Sequence, residues 1–114
     1  KADIVRDRAS LARVVEEGWV ENVYRLQIMN AAESKQTYDL KVDGLPGLAL
    51  IDFRPQTLGP AEARWVTVSL RVPPETAGAT KAGAHEVHFT IERVASATDG
   101  AVSLREKTTF MLPR

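Results

Sequence analysis

A chain of 114 residues has room for one hydrophobic core, and its 15 basic and 15 acidic side chains cancel, so no overall field draws it to nucleic acid or an anionic membrane. The absence of cysteine excludes disulfides, zinc ribbons and thiolate-held iron–sulfur clusters within these residues. An apolar content of 44% against 26% charged is that of a globular domain, and no apolar run approaches the roughly 20 residues needed to cross a bilayer.

The chain starts at Lys1 without a charged-then-apolar leader, which predicts a processed chain or a piece of a longer one. Residues 1–18 read as an N-terminal arm or first strand of a single domain spanning 1–114. Within them "SLARVVEEG" has two readings. A short helix would place Leu11, Val14 and Val15 on one stripe between Ser10 and Gly18. A strand would turn at "EEG" into the next run, and it is favoured because two helical turns are marginal alone.

From there apolar residues recur with period two, the pattern of half-buried strands. "ENVYRLQIMN" alternates through Tyr24, Leu26 and Ile28, followed by "TYDLKV", "LALIDF", "RWVTVSLRV", "HEVHFTIERV" and "VSLREKTTFML". In the last run Glu106 shares the parity of Val102, Leu104, Phe110 and Leu112, which predicts a bulge that re-phases the strand or a carboxylate at a rim. Turn signals such as "VDGLPG", "TLGPAEA" and "ATDGAV" separate the runs, and "PPETAGATKAGA" reads as a mobile connection. Six or seven short strands without a long helix predict an all-β protein: an immunoglobulin-like antiparallel β-sandwich of about seven strands. Leu26, Ile28, Val68, Leu70, Phe89 and Ile91 are its expected central layer.

Residues that could carry chemistry are few. His85 and His88 stand three apart in a strand, so their rings point to opposite sides and do not chelate together. Met29 and Met111 are soft atoms far apart in sequence. No serine lies in a nucleophile frame, "GLPGL" lacks the features of a phosphate loop, and aromatics are not interleaved with basic residues as a nucleic-acid platform requires. The expectation is a domain with no catalytic, cofactor or metal site. Its candidate partner surface is the outward parity of two neighbouring strands, 22–30 and 64–72, where Met29 and Trp65 are expected to meet, with Arg25 and Arg71 continuing the face.

Three stretches in order, "RDRASLARVVEEGWVENVYRLQIMN", "GLPGL" and "REKTTFMLP", resemble the C-terminal domain of the FixG family, also called CcoG or Rdx proteins, accessory proteins for assembly of cbb-type cytochrome c oxidases. The resemblance implies a full-length bacterial inner-membrane polyferredoxin, with iron–sulfur clusters in the part not represented here, associated with reduction of Cu(II) to Cu(I). It implies that this domain faces the periplasm and meets protein partners, oxidase subunits or copper carriers. None of the family's cysteine motifs has a matching position in this chain. Two alternatives remain beside docking: a copper-binding or copper-transfer domain using His85, His88, Met29 or Met111, and self-association through sheet edges.

Overall fold

The computed structural model describes the backbone of residues 2–6 and, in full, residues 12–95 and 100–113. The alternating runs form two antiparallel sheets. The first contains β1 (Ala2–Arg6), β3 (Val20–Met29), β7 (Ala63–Val72) and β5 (Ala49–Ile51) in that spatial order, with the short β2 (Arg13–Val14) also paired to β3. The second runs β6 (Gln56–Leu58), β4 (Gln36–Asp43), β8 (Gly83–Arg93) and β9 (Val102–Leu112). The expected sandwich is present, with short pairings added to its main strands.

The inward parity fills the space between the sheets. Leu26, Ile28, Val68, Leu70, Phe89 and Ile91 are all buried, as their mid-strand positions predict. Tyr24 joins them and meets Phe89 edge to face, with ring centroids 5.3 Å apart. Two polar residues on the same parity, Asn22 and Asn30, are also buried. Tyr24 Oη donates to the Thr109 carbonyl at 2.7 Å, so one side chain serves the core and ties β3 to β9.

Several local expectations are settled by hydrogen bonding. At residues 13–18 the strand alternative holds: Arg13 and Val14 pair with Glu21 and Val20, and a 3-10 turn, Glu16–Gly18, reverses the chain. The turn needs left-handed backbone at Glu17 (φ 58°) and Gly18 (φ 80°). Ser10 and Leu11 lie outside the described residues. The bulge expected at Glu106 is absent. The β8–β9 register is continuous from Gly83↔Leu112 to Arg93↔Val102, with Glu106 opposite Phe89. β9 is an edge strand, and an inward-parity carboxylate half-buried at an edge keeps its contact with water without re-phasing the strand.

The connection read as mobile contains a short helix, α1 (Pro74–Ala79), with proline at its first position. It is held from outside itself: Thr76 is buried and its Oγ1 donates to the Pro46 carbonyl at 2.6 Å, while Ala77 packs on the core. β6 was not anticipated, because its three residues sit inside a stretch rich in turn signals. Among the described residues no helix is long and apolar enough to cross a membrane.

Candidate functional site

β3 and β7 are antiparallel neighbours along their full length, from Val20↔Val72 to Met29↔Ala63. Odd-numbered residues of both strands share the face away from the core. Trp65 lies directly opposite Gln27, which puts Arg25 and Met29 on its two diagonals. Trp65 is 50% exposed and Met29 39% exposed, making them two of the large apolar side chains left in solvent.

Arg25 takes one of the diagonals. Its Cζ sits 5.1 Å from the centroid of the Trp65 ring, the geometry of a cation–π contact. Among the described residues Arg13, Arg64, Arg71 and Arg105 each pair with a carboxylate, whereas Arg25 pairs with none. Its charge rests on the indole face and is open to solvent. The sequence expectation centred on Met29 and Trp65; the contact that holds the indole in place comes from Arg25.

Arg71 has different work. Six residues along β7 from Trp65, about 20 Å in extended chain, it faces Glu21. Arg71 Nε donates to Glu21 Oε2 at 2.9 Å, and Arg13 Nε and Nη2 donate to Oε1 at 3.0 and 2.7 Å. Glu21 is only 3% exposed. Burial alone would raise its pKa, but the hydrogen bonds from Arg13 and Arg71 and their charges hold it below the usual glutamate value. This network joins β2, β3 and β7 at one end of the sheet, and the indole stands toward the other.

The histidines do not converge. On β8, His85 has inward parity at the strand's start, and its Nε2 lies beside the Lys81 carbonyl; His88 points outward. His88 has Asp43 3.8 Å from Nδ1 and Glu86 3.4 Å from Nε2, so the two carboxylates stand at opposite ring nitrogens and cannot share one ion with the imidazole. Met111 lies beside Asn22, seven residues along β3 from Met29, roughly 23 Å. Among the described residues no group of three His, Cys, Asp or Glu is arranged to hold a metal.

A second feature escaped the sequence reading: a cavity of about 240 Å³ between the sheets at the end where β3 leaves the core, with Ile28, Tyr38, Ile91, Arg93, Val102 and Leu104 in its wall. Beside it Asn30 gathers the loops. Its Nδ2 lies 2.9 Å from the carbonyls of Ser34 and Gly59, and its Oδ1 accepts from the Ala32 N–H at 3.0 Å and from Tyr38 Oη at 3.2 Å. The available signal was parity, since Asn30 continues the inward series of Leu26 and Ile28.

Two antiparallel sheets in this order, packed face to face around the buried parity of their strands, define an immunoglobulin-like sandwich domain. The chain belongs to the FixG C-terminal domain family: residues 1–113 match the family described as the "IG-like fold at C-terminal of FixG". A crystal structure of a FixG-related protein from Vibrio parahaemolyticus superposes with a TM-score of 0.72 at 21% identity, covering 94% of this chain and 92% of that one. A protein from Archaeoglobus fulgidus shares the fold more distantly, at TM-score 0.51 and 15% identity over 100% of this chain and 97% of its own. No curated protein matches the chain.

Proposed function

We propose that this domain is a non-catalytic docking module, carried on the periplasmic side of a FixG-family membrane redox protein, that positions it against oxidase subunits or copper carriers. Membership of the FixG family supports the setting. The observation that carries the docking role is the half-exposed Trp65, held by an Arg25 that has no carboxylate partner among the described residues, with Met29 beside them. A large aromatic braced by arginine on an open sheet face is the kind of anchor on which partner binding energy concentrates. Arg71 belongs to the same sheet face but is engaged with Glu21, so it borders the anchor instead of forming it.

The test uses the full-length protein. Trp65→Ser is compared with deletion of the whole domain, and oxidase assembly, copper reduction and the melting temperature of the domain are measured together. The docking reading expects both changes to impair assembly while copper reduction persists, with Trp65→Ser shifting the domain's melting temperature by no more than about 3 °C. Full assembly with Trp65→Ser removes this face as the docking site. Loss of copper reduction on deletion of the domain contradicts the non-catalytic role.

A further inference from the structure

The cavity beside Asn30 combines two properties that a packing defect lacks. Its wall is built by apolar residues from three strands: buried Ile28 of β3 and Ile91 of β8, half-buried Leu104 of β9, and Val102 of β9 exposed at the mouth. It also contains a cation. Arg93 stands opposite Tyr38 in the β4–β8 register; its Nη2 donates to the Gly100 carbonyl at 3.0 Å, and its Nε is buried with no acceptor. Among the described residues no carboxylate pairs with Arg93, in contrast to Arg64 and Arg105. The Arg93 Nη2 bond to the Gly100 carbonyl is exposed, so the guanidinium reaches solvent at the mouth of the cavity and can receive an incoming anion.

The remaining polar group narrows the chemistry. Tyr38 Oη already donates to Asn30 Oδ1 at 3.2 Å, so it has only lone pairs to offer, and the donor available to a ligand is Arg93. A cationic ligand would meet like charge. A metal ion would find no imidazole and no carboxylate in the wall. A phosphate ester would find one arginine where several donors are usual, and would leave the apolar wall unused. A carboxylate matches the planar fork of a guanidinium, and an attached hydrocarbon matches the wall.

The volume sets the size. An apolar cavity of about 150 Å³ accepts benzene, so 240 Å³ suits a body of about six to ten non-hydrogen atoms. We infer that this cavity is a binding site for a small monocarboxylate with a short aliphatic or aromatic body, its head on Arg93 and its tail between Ile28, Ile91 and Leu104. The site is independent of the Trp65 face, so neither reading depends on the other.

The experiment titrates the 114-residue chain, with side-chain methyls observed by NMR, with three ligands sharing one body: hexanoate, hexan-1-ol and hexylammonium. Hexanoate should bind at least about tenfold more tightly than hexanol, hexylammonium should not bind, and the shifts should centre on Ile28, Ile91 and Leu104. Arg93→Met, which keeps an apolar stem, should bring hexanoate and hexanol within about threefold while preserving the methyl spectrum of the core. Leu104→Trp, which fills the cavity, should abolish both. Equal binding of the three ligands, no binding of hexanoate, or hexanoate preference surviving in Arg93→Met overturns the assignment. A short peptide ending in a leucine carboxylate separates the two sources of this head group. If it binds more than about tenfold tighter than hexanoate, a chain terminus replaces the free acid as the ligand and the assignment fails.

Discussion

Asn22 and Met111 exchange two hydrogen bonds across the sandwich. Asn22 Nδ2 donates to the Met111 carbonyl at 3.0 Å, and the Met111 N–H donates to Asn22 Oδ1 at 2.9 Å. The side-chain amide occupies the place a neighbouring strand would take, so the end of β9 is held to the opposite sheet by a residue that is itself buried. Asn22→Asp should be more damaging than its size suggests, because a carboxylate accepts from the N–H but sets its second oxygen against a carbonyl. We expect a loss of about 2–4 kcal/mol at neutral pH, partly recovered as the pH falls and the new carboxyl becomes a donor, measured by urea unfolding at several pH values. Equal cost across the pH range would mean the donated bond carries little.

Leu70 and Thr67 test the register of β7. Leu70 is fully buried and Thr67 exposed on the opposite parity. Leu70→Ala should cost about 2–5 kcal/mol and Thr67→Ala about 1 kcal/mol or less in chemical denaturation. Comparable losses would contradict the inward and outward faces described above.

Glu21 links stability to acid. Its carboxyl titrates below the usual glutamate value in the folded chain, so below neutrality the unfolded chain takes up this proton first. The sign follows: the contribution is present in full above the unfolded value of about 4.3, declines as pH drops below it, and is exhausted once pH has passed the depressed folded value. Glu21→Gln should cost about 1–3 kcal/mol at pH 7 and flatten the acid limb of the stability curve. An unchanged acid limb in the variant would show that Arg13 and Arg71 do not hold the carboxylate as described.

Gly44 has no tolerance for a side chain. Its φ is 132°, and a Cβ there would lie 2.7 Å from Val87 Cα and 2.9 Å from the Glu86 carbonyl oxygen. Both obstacles are backbone of β8, which its ladders to β4 and β9 hold in place. Gly44→Ala should lower stability by about 2 kcal/mol or more, whereas Gly78→Ala, with open space around it, should be neutral or slightly stabilising because Gly78 lies in α1. Thermal melts of the two variants side by side decide the point.

Where the chain alternates over many residues, as in β3, β7 and β8, period two was enough to place the core, because a one-residue slip would expose every apolar side chain at once, and the strand order of an immunoglobulin-like sandwich then made β3 and β7 neighbours. The rule weakened where burial is incomplete. Glu106 suggested a bulge only on the premise that inward parity means dry, and an edge strand relaxes that premise. α1 was hidden because its stability comes from Thr76 on Pro46 and Ala77 on the core, contacts that no local propensity encodes. The outward positions of Trp65, Met29 and Arg25 were legible, but the cation–π contact depends on rotamers, and the engagement of Arg71 depends on which strand end meets β2. The cavity was beyond reach, since the pairing of Tyr38 with Arg93 exists only in the assembled register.

The unbroken β8–β9 ladder bears on how the chain finds its fold. Two strands of eleven residues each are joined by the connection at 94–101, so a long register is secured by closing a short loop, whereas β3 must find β7 across more than thirty intervening residues. Loop-closure entropy makes the hairpin the expected nucleus and the pairing of β3 with β7 the expected slow, topologically distant step. Substitutions within β9 that keep its packing should then act mainly on the folding rate. Changes at Asn22, which closes the sandwich onto an existing hairpin, should act on the rate of unfolding.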